Sequence, residues 1–257
     1  MHRNPPALGI DIGGSFIKIA PVDVDSGKLM AVTQTVRIPK PATPELILDL
    51  IQTTIRETHW SGPVGVGYPG VIRDGVTLTA CHVSDEWLGY RLLAHLSEFV
   101  SAPVALLNDA DAAGLAEMTL GAGKDRNRPD GGTVVTLTLG TGIGSALFRH
   151  GKLFPNTEFG HIELDGEDAE KMAAASVRTT LGLTWPDYGR RLNHYLGAII
   201  KLLSPDRVIL GGGISENYHQ FSNFLTGNVE IVPAALGNSA GLIGAAVATT
   251  PDESEQK

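Results

Sequence analysis

The chain has one cysteine, Cys81, in 257 residues, which excludes an internal disulfide and any zinc site built from several thiolates. Packing is the expected role of that thiol. A basic surplus is also missing: 20 Lys and Arg against 28 Asp and Glu give a formal charge of −8, whereas broad nucleic-acid binding needs a basic face. No apolar run approaches the roughly 20 residues of a membrane span, and residues 1–6 lack the apolar core of a secretory signal. A soluble cytoplasmic protein with neither membrane nor nucleic-acid partner is the expectation. At 42% hydrophobic and 19% charged residues, the chain has material for one or two compact domains.

What is present is glycine in particular places. Residues 134–148 read V-V-T-L-T-L-G-T-G-I-G-S-A-L-F, two apolar strands joined by a turn in which Gly140, Gly142 and Gly144 remove Cβ where backbone bends tightly. Consecutive N–H groups in such a turn make an anion-sized concavity, although an ordinary glycine-rich hairpin is spelled the same way. A near-repeat stands at 8–20, L-G-I-D-I-G-G-S-F-I-K-I-A, where Ile12-Gly13-Gly14 aligns with Leu139-Gly140-Thr141. Self-similarity of this kind predicts two related domains, each offering a turn to one polyanionic ligand.

In order, strands are predicted at 7–12 and 16–22, with a third running to Ile38. Asp11 is a charge in an apolar run, costly unless it faces a cation or donors. Beside a phosphate cradle Mg²⁺ is its natural counterion; a bond to its own turn is the alternative. Thr43-Pro44-Glu45 spells a helix start. Residues 63–67 form a strand ending in the rigid turn Gly67-Tyr68-Pro69-Gly70, Asp74-Gly75 marks a hairpin, and 90–100 reads as a second helix. A strand at 103–107 delivers Asn108-Asp109-Ala110-Asp111 to the head of a small-residue helix over 112–120. A carboxylate at that junction is held at the sheet edge where α/β folds bind ligands, so Asp109 is a candidate general base; helix capping is the other use of either aspartate. The polar loop 121–132 carries Lys124, Arg126 and Arg128. Beyond a hairpin turn at 149–152, Glu158, His161 and Glu163 gather two acids and an imidazole within six residues, suited either to a divalent metal or to sugar hydroxyls. Residues 167–184 read as helical and exposed, and 186–203 as an amphipathic helix. A strand at 207–210 empties into Gly211-Gly212-Gly213, where a flat ring can lie against backbone. A small-residue helix over 239–248 and a polar tail, 251–257, expected to be disordered, close the chain.

Residues 8–18, the 67–70 turn, 108–111, the second cradle, Glu158-Phe159-Gly160-His161 and 210–215 resemble, in this order, the ROK family of sugar kinases. The likeness runs from about 8 to 247. It is nearest to the branch that uses inorganic polyphosphate, most closely at 108–118, 137–146 and 155–161. The resemblance implies an α/β protein of the actin/hexokinase fold, with two ribonuclease H-like lobes and a central cleft, in homodimers. On the sequence the lobes divide as 1–108 and 109–237, with the helix at about 238–250 packing back on the first. It further implies phosphoryl transfer from polyphosphate and/or ATP to the 6-hydroxyl of glucose, with mannose, fructose or an N-acetylhexosamine as alternative acceptors and Mg²⁺ arriving with the donor. By the same resemblance the donor phosphates lie around Asp11, Gly13, Gly14, Ser15 and Lys18 and around Gly140, Thr141 and Gly142. The adenine lies at Gly211, Gly212 and Gly213, and the sugar at Gly70, Asn108, Glu158, His161 and Glu163. Asp109 takes the proton of the attacking hydroxyl, and any contact of Asp11 with Mg²⁺ is indirect.

Three departures from the family pattern stand out. Many ROK kinases follow the Gly-His pair with a zinc-binding cysteine cluster; residues 164–175 contain no cysteine, implying no zinc and a His161 that serves the sugar. Where the branch is expected to read Ala-Ala-Asn-Val-Asp-Lys-Ser-Trp, residues 80–87 place His82 at the asparagine and Glu86 at the lysine. The first bears on the hexose and the second on the donor. A long polyanion also needs a cationic track, for which Lys18, Lys124, Arg126, Arg128, Arg149 and Lys152 are candidates. A repressor of the same family would carry a helix-turn-helix domain ahead of the first cradle, where only residues 1–6 stand.

Overall fold

The structure is a computed structural model that describes residues 4–81 and 83–251. His82 and residues 252–257, part of the expected tail, lie outside the described residues. Two compact units are present, Met1–Ala116 with Ser239–Lys257, and Glu117–Asn238. The division falls inside a helix after Ala116; the sequence reading had put it at 108/109.

In the first unit, β1 (Ala7–Ile12), β2 (Phe16–Asp23), β3 (Lys28–Leu29) and β4 (Gln34–Arg37) form a meander whose expected third strand is broken in two. Helix α1 (Pro44–Glu57) starts as its sequence dictates, with Thr43 Oγ1 accepting from Leu46 N at 3.4 Å, proline in the first turn and Glu45 behind it. Its Ile47, Ile51 and Ile55 are buried against the sheet. Strand β5 (Val64–Tyr68) leads to a hairpin of β6 (Ile72–Arg73) and β7 (Val76–Thr77). Asp74 (φ 51°) and Gly75 (φ 77°) give it two positive-φ turn residues. Helix α2 (Leu92–Phe99), strand β8 (Val104–Asn108) and helix α3 (Asp109–Leu120) follow. The sheet order is β3-β2-β1-β5-β8, with β4 also on β2; β1 and β2 are antiparallel, and β1, β5 and β8 parallel.

The second unit contains β9 (Thr133–Leu139), β10 (Ile143–Arg149), β11 (Lys152–Phe154), the short pair β12 (Glu163–Leu164) and β13 (Glu167–Asp168), α4 (Glu170–Ala173), α5 (Ala175–Thr180), α6 (Trp185–Leu203), β14 (Arg207–Gly211), α7 (Tyr218–Phe221) and β15 (Glu230–Pro233). Its main sheet runs β11-β10-β9-β14-β15. Apart from β4, this repeats the first sheet: an antiparallel hairpin, then two parallel strands reached by helical crossovers. The two similar glycine hairpins of the sequence are the β1–β2 and β9–β10 pairs. Region 167–184 corrects the expectation of one exposed helix. It is a strand and two short helices, and Ala169, Ala173 and Ala174 are buried against Tyr188 and Leu192 of α6. Cys81, expected to pack, is exposed.

The last element, α8 (Ala240–Val247), lies on β1 and β5 of the first unit. It sits so close that a Cβ on Gly9 would overlap the Leu242 carbonyl, and one on Gly65 the Ala245 carbonyl. On its other side Gly244 meets the Ala112 carbonyl of α3 in the same way. Glu117 is buried in α3; its carboxylate accepts from the Ala122 N–H (2.8 Å), the Ala235 N–H (3.0 Å) and the Leu236 N–H (2.8 Å). Three donors compensate a charge that would otherwise be costly to bury.

Gly65→Ala should therefore destabilise by about 1–3 kcal/mol or more, because backbone cannot rotate away as a side chain can. Gly197→Ala, in α6 with open space around its Cβ, should stabilise by about 0.5–1 kcal/mol. Urea unfolding of both variants checks the contrast; similar changes of one sign would contradict it.

Candidate functional site

In the first unit the turn at 13–15 is braced from outside. The Gly13 N–H bonds the Phe16 carbonyl (3.0 Å), the Ser15 carbonyl accepts from the Ile38 N–H (2.9 Å), and the Gly14 carbonyl accepts from Lys40 Nζ (2.6 Å). The Gly14 and Ser15 carbonyls are thus spent on protein. Among the described residues no hydrogen bond uses the Gly14 or Ser15 N–H, so the exposed dipole of the turn is positive and suits an anion.

Asp11 stands two residues before this turn, directly across the β1–β2 ladder from Lys18, with Oδ2 to Nζ at 3.7 Å. Burial pushes its carboxyl above the ordinary range, and the neighbouring ammonium only partly offsets this. Its carboxyl also lies 3.2 Å from where a Gly241 Cβ would be, so glycine at the head of α8 leaves room for it.

Asn108 ends β8 and Asp109 begins α3. The cap of this helix is Asn108, not Asp111: Asn108 Oδ1 accepts from the N–H groups of Ala110 (2.8 Å) and Asp111 (3.0 Å), while Nδ2 donates to the Gly70 carbonyl at 3.2 Å. Asn108 and Gly70 are buried, and Gly70 has no space for a Cβ beside Thr79 and Tyr68. Half-buried Asp109 accepts from the Ala110 N–H through Oδ1 at 2.8 Å. The parallel β5–β8 register sets Tyr68 opposite Asn108. Thus Gly70, Asn108 and Asp109 come together at one sheet edge. Behind them Trp87 is fully buried, with its indole N–H on the Ala42 carbonyl (2.9 Å) and its ring 5.0 Å from that of Tyr68. This anchors the loop carrying Glu86, whose N–H bonds Ser84 Oγ.

The second unit repeats the braced turn with different parts. The Gly140 carbonyl accepts from the Ser176 N–H (3.0 Å) and the Thr141 carbonyl from Ser176 Oγ (2.7 Å), while the Gly140 N–H bonds the Gly142 carbonyl (3.0 Å). Among the described residues the Thr141 and Gly142 N–H groups have no such bond. Next to them the Glu170 carboxylate accepts from the Ile143 N–H at 3.3 Å, an anion already drawn to this turn. Gly212 (φ 80°) packs on Leu139 with no room for a Cβ. Gly211 pairs with Thr138. Gly211, Gly212 and Gly213 therefore lie at the same end of this sheet as Gly140, Thr141 and Gly142.

Segment 157–161 is fastened beside that turn. Ser145 Oγ donates to the Thr157 carbonyl (2.8 Å) and accepts from the Phe159 N–H (3.0 Å), and buried Gly160 packs on the Ile143 carbonyl. Although Glu158 is exposed, desolvation by its neighbours raises its carboxyl and Glu170 adds to this, while His161 opposes it. His161 Nδ1 lies 3.3 Å from Asp168 Oδ2, and Glu170 completes a group whose possible ligand atoms lie within 4.8 Å of one another. The structure thus joins His161 to Asp168 and Glu170, two carboxylates the sequence reading missed. Glu163 is exposed on β12, opposite Asp168.

The candidate track cations of the second unit stand away from its glycine turn. Thr133 and Arg149 pair at one end of the β9–β10 hairpin and Leu139 and Ile143 at the other. Arg149, Lys152 and loop 121–132 therefore stand roughly 20 Å along the strands from the glycine turn. Arg126 is also paired with Glu230 (3.4 Å), Arg128 with Asp130 (3.0 Å), and Arg149 donates to Thr133 Oγ1 (2.6 Å). Arg37 and Lys40, which the sequence reading passed over, lie beside the first turn.

Residues 7–181 match the ROK family. The chain belongs to the ROK family. A polyphosphate glucokinase of Mycobacterium tuberculosis (strain CDC 1551 / Oshkosh) is 45% identical over 246 residues, covering 95% of this chain and 91% of the relative. The inorganic polyphosphate/ATP-glucomannokinase from Arthrobacter sp. strain KM superposes with a TM-score of 0.87 at 43% identity, over 96% of this chain and 98% of that one. A ROK family glucokinase from Streptomyces griseus, solved with glucose and AMPPNP, gives a TM-score of 0.75 at 25% identity, over 94% and 98%. The fold is the α/β actin/hexokinase-like fold of ROK sugar kinases. Among the described residues, no helix is long and apolar enough to cross a membrane.

Because the Asp11 carboxyl is raised in the folded state, the native protein binds more protons than the unfolded chain above pH 3.8, and stability falls as pH rises through the raised value. Asp11→Asn should melt at a higher temperature than the wild type at pH 7. The difference should shrink as pH falls toward 3.8. Melting curves across that range check this, and a pH-independent difference would contradict it.

Proposed function

We propose that this protein is a polyphosphate glucokinase, transferring the terminal phosphoryl group of inorganic polyphosphate or ATP to the 6-hydroxyl of glucose. The observation that carries the reading is the pair of glycine turns, each with its carbonyls bonded to protein and N–H groups left for an anion. Phosphoryl transfer asks for little else beyond positioning, charge stabilisation and a carboxylate at the nucleophile. The relatives named for polyphosphate and glucose span nearly the whole chain, which supports the choice of donor and acceptor.

In this reading Asp109 takes the proton of the 6-hydroxyl as its oxygen forms a bond to the terminal phosphorus. The bond from that phosphorus to the bridging oxygen breaks, leaving ADP or a polyphosphate one unit shorter. Asn108 holds Asp109 at the helix head and has one amide hydrogen left for a sugar hydroxyl; the Gly70 backbone backs it. Glu158 and His161 hold sugar hydroxyls, with Glu163 an outer member of the set. Gly13, Gly14, Ser15 and Lys18, and Gly140, Thr141 and Gly142, take donor phosphates, and Gly211, Gly212 and Gly213 the adenine of ATP. Half-buried Asp11, whose carboxylate stands beside Lys18, would help to hold Mg²⁺ brought with the donor, and that ion would supply neutralisation of phosphate charge. The protein acts in the cytoplasm as a homodimer, which the mass of the native particle tests. Mannose is the second acceptor to try, since the Arthrobacter relative is named a glucomannokinase.

A matrix of ATP and long-chain polyphosphate against glucose, mannose, fructose and N-acetylhexosamines tests the reading. Glucose 6-phosphate formed from both donors is the expected result; no product from polyphosphate of any length overturns the donor assignment. Asp109→Asn should keep sugar binding and lose turnover by about 10²–10⁴-fold, the range for a positioned base. More than a tenth of wild-type turnover would remove Asp109 from this role.

A further inference from the structure

His161 and Asp168 are brought together by a small hairpin. Strands β12 and β13 set Glu163 opposite Asp168, with Asp165 (φ 54°) and Gly166 (φ 86°) in the turn between them. The Ala169 N–H closes the hairpin on the Ile162 carbonyl at 2.9 Å. Ala169 is itself buried in the core beside α6, and Asp165 Oδ2 lies 3.0 Å from Nε2 of His194 on that helix. His161 ends the short turn 159–161, with its N–H on the Glu158 carbonyl (3.1 Å) and buried Gly160 against Ile143. Backbone therefore positions both partners of the contact between His161 Nδ1 and Asp168 Oδ2 (3.3 Å). The imidazole is exposed, and among the described residues no hydrogen bond uses its Nε2.

A neutral imidazole has one hydrogen for two nitrogens, and the group bonded to one edge decides what the other edge can do. An ionised carboxylate only accepts. Asp168 therefore calls the hydrogen to Nδ1 and leaves Nε2 bare. We propose that Asp168 is a positioning residue for sugar recognition, holding His161 in the Nδ1–H tautomer so that Nε2 offers a lone pair to a sugar hydroxyl. The inference rests on the reading of His161 as a sugar ligand given above. In water a neutral imidazole side chain favours the opposite tautomer, so without Asp168 the ring would present a hydrogen in place of a lone pair. Ionised Glu158 is a second acceptor, and this side of the site then asks the sugar for hydrogens. A hydroxyl can supply one; fluorine in its place cannot. Asp168 thus acts on which groups the site accepts, through the nitrogen it does not touch.

The test combines NMR with kinetics. In protein labelled with ¹⁵N at histidine, above about pH 8 where an ordinary imidazole is neutral, the His161 signals are identified by their loss in His161→Gln. The wild type should carry its hydrogen on Nδ1, and Asp168→Ala should move it to Nε2, a change that a merely structural role would not produce. Asp168→Asn, isosteric but able to donate as well as accept, guards against misfolding of the alanine variant and should hold less of the Nδ1–H form than the wild type. A wild-type hydrogen on Nε2, or one tautomer unchanged across all three proteins, overturns the proposal. With glucose, Asp168→Ala should raise KM roughly three- to tenfold, the worth of one hydrogen bond, and leave turnover at saturating glucose little changed. A loss confined to turnover overturns the role in binding. Glucose with each non-reacting hydroxyl replaced in turn by fluorine locates the contact. At the position facing His161 the wild type should reject fluorine several-fold more strongly than Asp168→Ala does, and equal rejection at every position overturns the role in recognition. If His161→Gln leaves the glucose KM unchanged, the sugar-ligand reading itself fails, whereas the NMR comparison separately decides whether Asp168 sets the tautomer.

Discussion

The first unit depends on a close approach of backbone to backbone. Helix α8 can lie on β1 and β5 only because Gly9 and Gly65 present no Cβ to it, and α3 can touch it only because Gly244 presents none. Such a seam stabilises less by area than larger side chains would. What it secures is position, since a backbone contact has no rotamers in which to relax. Asp11, on β1, lies beside the head of α8, and Asp109 begins α3, so both candidate carboxylates stand where this seam locks the helices to the sheet.

A second economy lies in the turns. Each hairpin turn would ordinarily present a mixture of carbonyls and N–H groups, with little net preference for an ion of either sign. In both units the carbonyls are taken, by Ile38 and Lys40 in one and by Ser176 in the other, and a surface of mixed sign becomes an electropositive one. The bracing groups are unrelated in sequence although the hairpins are alike. The shared feature is the electrostatic outcome rather than the residues that produce it.

Much of this was legible in the sequence. The strands of both hairpins show because apolar residues alternate or run up to a glycine turn, and α1 shows because Thr43-Pro44-Glu45 starts it. Asn108-Asp109 reads correctly as a strand–helix junction, but which side chain caps the helix does not, because all of the residues at 108, 109 and 111 are capping types. Region 167–184 was misread because its buried residues are alanines, whose weak hydrophobicity leaves no periodic signal in elements of two to six residues. For the same reason Asp168 and Glu170 were not linked with His161. Arg37 and Lys40 escaped because their bearing on the turn comes from strand pairing and a long side chain. The loop at 124–128 misled because charge was counted without asking at which end of β9 it stands.

The route of the chain has a consequence for how the protein is made. The second unit is continuous, residues 117–238, and can assemble as soon as its own segment has left the ribosome. The first unit begins the chain but receives α8 from residues 240–247. Its sheet emerges early with the floor under Gly9 and Gly65 uncovered, and it waits through the synthesis of an entire neighbouring unit. Domains generally fold in the order in which they are made; here the part begun first is the part finished last. During that interval the face of β1 and β5 that carries Gly9 and Gly65 stays uncovered in the nascent chain.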